Sequence, residues 1–332
     1  MIDLIMRGDD YGSAISANKA IAACVREGQT IKNISVMSCG KYLEEGAEFL
    51  RSVRGVDIGM HAVLNSEWDP IKWTPCSPKA QIASLLNSDG EFYASQQELM
   101  AADPDIDECI REYDAQLDHL ARLGIPVTYA DSHMAPEIWI PDLIPAFRDW
   151  IRRKGLLDVT DCYYYAGAMG PDWGSSYEEF TRNTRDWLLG MPEDRENIHV
   201  IHAAMAGEDT MAFYNRGAAP GIICQQRDWE YRMFSSGIRQ YPELMERIHF
   251  MRFSEAHPSG DGIVFLKKLF GIPQDETRIC PCCRHYAFEE KNAYEICPVC
   301  GWEDDPIQRK DPDYAGGANK MSLREARRAF AG

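Results

Sequence analysis

The amino-terminal stretch Met1-Ile-Asp-Leu-Ile-Met-Arg-Gly-Asp-Asp-Tyr-Gly12 decides how the chain is read. Ile2 to Met6 reads as a short buried strand that runs into two adjacent carboxylates and a glycine turn. Asp9 and Asp10 are then expected on the loop at the strand's C-terminal edge, where barrels and open α/β sheets carry their chemistry. Two later strand-like segments each end in a histidine, Val56-Asp-Ile-Gly-Met-His61 and Val127-Thr-Tyr-Ala-Asp-Ser-His133. An acid and two imidazoles at three strand ends can converge on one metal ion. Asp131, two residues before His133, points to the same side of its strand and can orient a ligand from behind.

Working outward, Ser13 to Glu27 reads as a helix with Ala17, Ile21, Ala22 and Val25 at a helical period. A strand over Ile31 to Met37, a helix over Tyr42 to Val53 and the strand ending at His61 complete a βαβαβ rhythm. That rhythm implies parallel strands joined by right-handed crossovers. Helices follow over Asp105 to Leu123, Pro141 to Lys154, Ser176 to Leu188, Asp228 to Ser236, Pro242 to Arg247 and Gly262 to Phe270. Strands are expected at Leu156 to Val159, Asn197 to Ala204 and His249 to Phe253. Tyr163 to Gly174 and Ala206 to Gly221 read as loops. Six or seven strands, mostly alternating with helices, predict an α/β fold of barrel-like (βα) type.

The loop from 62 to 78 holds Trp68, Trp73 and three prolines directly after His61. Trp faces stack well on sugar rings, so Trp68 and Trp73 are candidate substrate contacts; a surface loop pinned by its own aromatics is the competing reading. His119 and His199 read as structural.

The character changes near Gly271 to Thr277, dividing residues 1–272 from a cysteine-rich module at 277–332 that closes on a helix over Ser322 to Phe330. Cys280-Pro-Cys-Cys283 and Cys297-Pro-Val-Cys300 form two Cys-x2-Cys turns, a spacing that closes a four-thiolate structural zinc site through Cys280, Cys283, Cys297 and Cys300. Cys282 is spare. The other six cysteines are scattered singly and read as reduced thiols.

A formal charge of −17 argues against binding to nucleic acid or an anionic membrane. No apolar run approaches the roughly 18 residues of a membrane span. The first strand starts at once, without a basic leader, so the cytoplasm is the expected compartment.

The motifs together resemble the YdjC-like carbohydrate deacetylases, a family that includes the chito-oligosaccharide deacetylases. They are Asp9-Asp-Tyr-Gly12, Gly59-Met-His61, Asp131-Ser-His133 and the later Val200-Ile-His202, over roughly residues 1 to 270. The resemblance implies hydrolysis of an N-acetyl group on a small acetylated sugar, with Asp10, His61 and His133 holding a divalent metal, zinc or magnesium. It implies Asp9 as general base and His202 as general acid; His257, in Glu255-Ala-His-Pro258, is the competing candidate for the acid role on the residues themselves. Arg227 falls where the family has an arginine and is a further substrate-binding candidate; a surface salt bridge accounts for it equally well. Arg7-Gly8 stands where the family has small or amide residues. The cysteine module resembles the small "CPCC" domain, whose Tyr-Glu-Ile-Cys-Pro-Val-Cys-x-Trp-Glu-Asp-Asp run stands here at Tyr294 to Asp305. The ribbon leaves self-association or a protein partner open. Two rival readings keep the chain but change its work: hydrolysis of another amide or ester, or a non-catalytic barrel scaffold whose zinc ribbon recruits a partner.

Overall fold

A computed structural model describes residues 1–140, 142–162, 170–257, 260, 262–273 and 278–331. The expected loop from Tyr163, the start of the helix at Pro141 and the end of the module boundary fall partly outside these residues. Seven strands are described: β1 (Ile2–Tyr11), β2 (Asn33–Val36), β3 (Asp57–Ala62), β4 (Tyr129–Ser132), β5 (Leu157–Asp158), β6 (Asn197–Ile201) and β7 (Ile248–Met251). All pairings are parallel, in the order β5-β4-β3-β2-β1-β6, with β7 beside β1 as well. Among the described residues β5 and β6 do not pair, so the barrel-like expectation holds as an open, parallel half-barrel.

The helices are α1 (Ile15–Ala23), α2 (Leu43–Ser52), α3 (Gln96–Ala101), α4 (Ile106–Arg122), α5 (Leu143–Lys154), α6 (Tyr177–Leu189), α7 (Glu208–Met211), α8 (Ile222–Ser235), α9 (Pro242–Arg247) and α10 (Gly262–Leu269). Two more, α11 (Pro306–Lys310) and α12 (Leu323–Ala331), belong to the cysteine module. Most lie within a residue or two of their expected bounds. Three depart: α1 ends at Ala23 and is continued by a π turn over Cys24–Gly28, α7 falls inside the stretch read as a loop, and α8 begins at Ile222 rather than Asp228, where Gly221 takes φ 89° and turns the chain into the helix six residues early.

β1 is the central strand, buried along almost its whole length and apolar at Ile2, Leu4, Ile5 and Met6. Such a run suits a strand covered on both faces. One edge of β1 is shared by two strands. β7 pairs with Ile2 to Ile5, and β2 takes over from Arg7. Asn33 makes that handover possible. Its amide donates to the carbonyls of Met6 (3.1 Å) and Met251 (2.9 Å), and its Oδ1 accepts from Phe253 N (2.7 Å). Those are backbone groups that the ladder leaves over at the fork, and buried backbone groups need partners.

β1 also differs from expectation at its end. The strand continues through Asp9 and Asp10 to Tyr11, so the acids stand on the strand and not on a following loop. The register with β2 slips between Gly8 and Tyr11, and Asp10 takes φ 62°. A regular strand would send Asp9 and Asp10 to opposite faces. The bulge breaks that alternation and brings both carboxylates to one place.

Residues 278–331 pack around Phe288, Trp302 and Leu323 as a core of their own. Two short hairpins, closed by the bridges Ile279–Ala287 and Ile296–Glu303, carry the two Cys-x2-Cys turns. The residue after each turn, Arg284 (φ 61°) and Gly301 (φ 76°), takes the left-handed conformation that folds the chain back. The module docks on the larger domain. Ile279 joins the apolar cluster of the larger domain that includes Ile138 and Trp139, and α12 lies along α3. No described helix is long and apolar enough to cross a membrane.

Candidate metal and catalytic site

The C-terminal ends of β1, β3 and β4 bring Asp10, His61 and His133 together. His61 Nε2 lies 3.2 Å from His133 Nδ1, and Asp10 Oδ1 lies 3.6 Å from the first and 3.5 Å from the second. All three residues are buried. Gly59 lets β3 make this approach: a Cβ there would sit 2.1 Å from the Tyr129 ring, which packs over the strand.

Each imidazole is aimed by a carboxylate on its other nitrogen. His61 Nδ1 lies 2.6 Å from Asp131 Oδ2, and His133 Nε2 lies 3.0 Å from Glu67 Oε2. Both Asp131 and Glu67 act as acceptors, so in the neutral rings the protons sit on His61 Nδ1 and His133 Nε2, and His61 Nε2 and His133 Nδ1 are left to receive a cation, a proton or a metal ion. Asp131 is itself fixed by Ser35 Oγ (2.7 Å) and by Arg7 Nη1 (3.2 Å). Asp131 thus stands on the far side of His61 from Asp10. Glu67 was not expected. It lies in the 62–78 loop, where no periodicity marks it, and Trp73 Nε1 reaches the same oxygen at 3.4 Å.

Charge balance at the centre favours a cation. Burial works against ionising His133, yet Glu67 and Asp10 outweigh it and push the imidazole up to about 10. His61 is raised too, because Asp131 and Asp9 outweigh the same burial. Burial likewise opposes the Asp10 charge, but Arg227 and His133 hold its carboxyl well below the usual range. Asp10 Oδ2 pairs with Arg227 Nη2 at 2.8 Å, whereas Oδ1 has no hydrogen-bond partner among the described residues. An orphaned carboxylate oxygen facing two imidazole lone pairs fits a small divalent cation, since buried acceptors are otherwise satisfied.

Asp9 lies beside this centre, with Oδ2 3.8 Å from His61 Nε2. Arg7, two residues earlier on the same face of β1, grips both of its oxygens. Asp9 and His61 are buried beneath a cavity of about 360 Å³ whose wall includes Asp10, His133, Trp68, Met134, Trp173 and His202. Asn215, Arg227 and Glu230 complete its polar side. Trp68 therefore faces the cavity, stacked on Phe213 at 5.5 Å. Trp73 does not line it: that ring is buried edge-on to Phe213 and holds Glu67 from behind. Arg227 stands on the wall over the Phe213 ring.

His202 shares the cavity with Asp10, and burial lowers its imidazole below the ordinary range. Glu230 is the second residue that sequence reading missed. Its carboxylate accepts from the His202 backbone N–H (2.8 Å), and burial raises it to about 8. A signal was available: Arg227 and Glu230 are three apart on α8, so both project from one helix face. His257 lies elsewhere, 92% exposed at its side chain and 3.5 Å from Glu196. His199 packs against Trp187 and Phe234 on the other side of β6.

In the module, Cys280 Sγ lies 3.6 Å from Cys300 Sγ and Cys283 Sγ lies 3.6 Å from Cys297 Sγ. The four sulfurs lie within 4.8 Å of one another, a cage suited to one tetrahedral ion. Cys282 stands outside this set of four.

A family described as "YdjC-like protein" matches residues 3–251, and one described as "Cysteine-rich CPCC" matches residues 278–332. A carbohydrate deacetylase of Brevibacillus brevis strain 47 is 30% identical over 131 residues, which cover 39% of this chain and 48% of the relative. A chitooligosaccharide deacetylase of Enterobacter sp. strain 638 is 28% identical over 159 residues, covering 48% of this chain and 59% of the relative. The chain thus spans about half the length of the relatives it matches. A crystal structure from Enterococcus faecalis V583, provisionally described as a cellobiose-phosphate cleavage protein, superposes with a TM-score of 0.59 at 18% identity. It covers 76% of this chain and 98% of its own, a likeness of fold.

Proposed function

The chain belongs to the YdjC-like family, and from that premise we propose that it is a metal-dependent hydrolase that removes an N-acetyl group from a small carbohydrate. The observation that carries this reading is Asp10 Oδ1, buried without a partner and facing His61 Nε2 and His133 Nδ1. Two imidazoles and one carboxylate suit zinc better than magnesium, which prefers all-oxygen donors. When bound, the ion supplies Lewis-acid activation of water and of the acetyl carbonyl.

The protein's own groups supply the rest. Asp10, His61 and His133 hold the ion, with Asp131 and Glu67 fixing the tautomers. Asp9 Oδ2 takes the proton of the attacking water, and Arg7 fixes the direction from which it does so. His202 Nε2 or Nδ1 gives a proton to the departing amine. Trp68 and Trp173 offer flat apolar faces to a sugar ring, and Arg227 and Asn215 offer donors to its oxygens. Cys280, Cys283, Cys297 and Cys300 would hold a structural zinc in the module, and four thiolates would leave it no position for substrate. With reduced cysteines throughout and an acidic surface, a cytoplasmic enzyme is proposed.

The test is Asp9→Asn assayed on N-acetylated chito-oligosaccharides, alongside metal content per chain. Turnover should fall by about 10²–10⁴-fold, the usual worth of a general base, with metal content unchanged. Undiminished turnover would remove Asp9 from the mechanism. No release of acetate by the native chain, fully metal-loaded, from any acetylated sugar would remove the deacetylase reading.

A further inference from the structure

A second cluster lies away from the candidate active site, between the loop after β2 and the loop after β3. Cys39 is buried there and Cys76 half-buried, and their sulfurs and a Glu112 carboxylate oxygen lie within 4.8 Å of one another. A cavity of about 420 Å³ opens onto both cysteines. Lys41, Lys72, Arg122 and His119 line it, and none of its lining residues is acidic. On a chain of net charge −17 that is a local reversal of sign.

The surrounding groups are already committed, which decides between two uses of the thiols. Glu112 accepts from Cys76 N (2.9 Å), Ser77 N (2.9 Å) and Gln116 Nε2 (3.0 Å), so its carboxylate anchors the loop. His119 Nδ1 lies 3.0 Å from the Ser38 carbonyl and must carry a proton there. The Glu112 and His119 atoms that face the two sulfurs are therefore already bonded, since Oε1 accepts two hydrogen bonds and Nδ1 donates one. The two sulfurs remain as the reacting atoms. Cys39, hydrogen-bonded to Cys76 and buried, is held above the usual thiol range, which leaves the more accessible Cys76 as the attacking group. His119 Nδ1 lies 3.9 Å from Cys76 Sγ, and Lys72 and Arg122 line the same cavity, so the charge that surrounds a thiolate there is cationic.

We propose that Cys39 and Cys76 are a dithiol that reacts with an anionic low-molecular-weight disulfide of the glutathione type, which docks in the cationic cavity. The Cys76 thiolate attacks one sulfur of the small disulfide, and that S–S bond breaks. One small thiolate leaves and takes up a proton, and a mixed disulfide remains on Cys76. Cys39 then loses its proton, attacks Cys76 Sγ and expels the second small thiol. The two protein thiols are oxidised to one disulfide, and the small disulfide is reduced to two thiols. The resulting bridge would tie the Ser38–Gly40 turn to the loop that carries Glu67 and Trp68.

The experiment treats the full chain with glutathione disulfide, blocks remaining thiols by alkylation and maps cysteine peptides by mass spectrometry. The native chain should yield a Cys39–Cys76 linked pair, lighter by two hydrogens than the separate peptides. Cys39→Ser should arrest the reaction with glutathione on Cys76, and Cys76→Ser should give neither product. Replacing glutathione disulfide by the neutral hydroxyethyl disulfide should slow linkage at least tenfold at low salt, and added salt should shrink that ratio. Absence of the linked pair in the native chain, or an adduct settling on Cys39 in the folded Cys76→Ser variant, overturns the dithiol. Equal rates for the two disulfides overturn the docking cavity.

Discussion

Arg7 and Asp9, two residues apart on β1, form a two-pronged ion pair with both contacts buried, Nε to Oδ1 at 2.6 Å and Nη2 to Oδ2 at 2.7 Å. The third guanidinium nitrogen lies 3.2 Å from Asp131. One cation therefore pairs with two buried carboxylates, one beside the proposed metal and one behind it. Removing one partner of a buried pair leaves the other charge uncompensated, at about 3–5 kcal/mol. Arg7→Met should lower the unfolding free energy by that order, and Arg7→Lys should recover only part, because an ammonium cannot present the fork. A loss of unfolding free energy under about 1 kcal/mol for Arg7→Met would show that water reaches these carboxylates.

Glu67 fixes the tautomer of His133, so its removal should be felt in metal affinity before stability. Glu67→Gln keeps an oxygen to accept the Nε2 proton but loses the charge that strengthens the ligand. Metal affinity of the half-barrel site should weaken by about 10–100-fold, the usual cost of losing such a partner. Competition against a chromophoric chelator measures it, with the Cys280–Cys300 ion as the internal reference. Unchanged affinity would place Glu67 in the loop's packing alone.

Glu230 gives stability a pH slope. Its carboxyl, ordinarily near 4.5, is raised to about 8 by burial. Between those values the native state holds a proton that the unfolded chain has released. Stability must therefore fall as pH rises through this window and level off above about 8, by at most about 1.4 kcal/mol per pH unit. Glu230→Gln retains the acceptor for His202 N and removes the titration. In metal-free protein, the difference in unfolding free energy between native chain and variant should grow in the variant's favour from pH 5 to 8. A flat difference across that range would mean that Glu230 is hydrated.

The same two groups separate the candidate proton donors. Burial lowers His202 and raises Glu230, and both line the cavity. A general acid works only while protonated. If His202 is the donor, kcat should decline as pH rises through a value below the ordinary imidazole range near 6.5. A decline that appears only near pH 8, and is abolished in Glu230→Gln, would transfer the role to Glu230.

The extent to which this site could be read from sequence follows from where its residues stand. Asp10, His61 and His133 were legible because each ends an apolar strand, and parallel strands align their ends. The four module thiols were legible because Cys-x2-Cys spacing is itself a geometry. The bulge at Asp10 was not, since φ 62° at an aspartate leaves no mark in the sequence. Its consequence was implicit, however: two adjacent acids cannot serve one site on a regular strand. Glu67 was hidden because a loop has no period, and its partner His133 is 66 residues away. Glu230 was hidden by the misplaced start of α8, which concealed its spacing from Arg227.

The cysteine module touches the larger domain at two segments that flank a proposed metal ligand. Arg324 of α12 donates to the Ala102 carbonyl (3.0 Å) and pairs with Asp103 (3.1 Å), just past α3. From α3, Gln96 donates to the carbonyl of Met134, the residue after His133. On the other side, His285 meets Trp139 edge-on at 5.4 Å. A four-thiolate ion commonly supplies the folding energy of so small a module. Cys297→Ser, which spares the half-barrel ligands, should therefore raise backbone hydrogen exchange at residues 94–103 and 134–140 as well as at 278–331. The β1 and β6 amides should stay protected, because the sheet does not depend on the module for its pairing. Exchange that increases only within 278–331 would mean that the cavity rim holds its shape unaided. The module would then have to be explained by something other than the His133 loop it packs against.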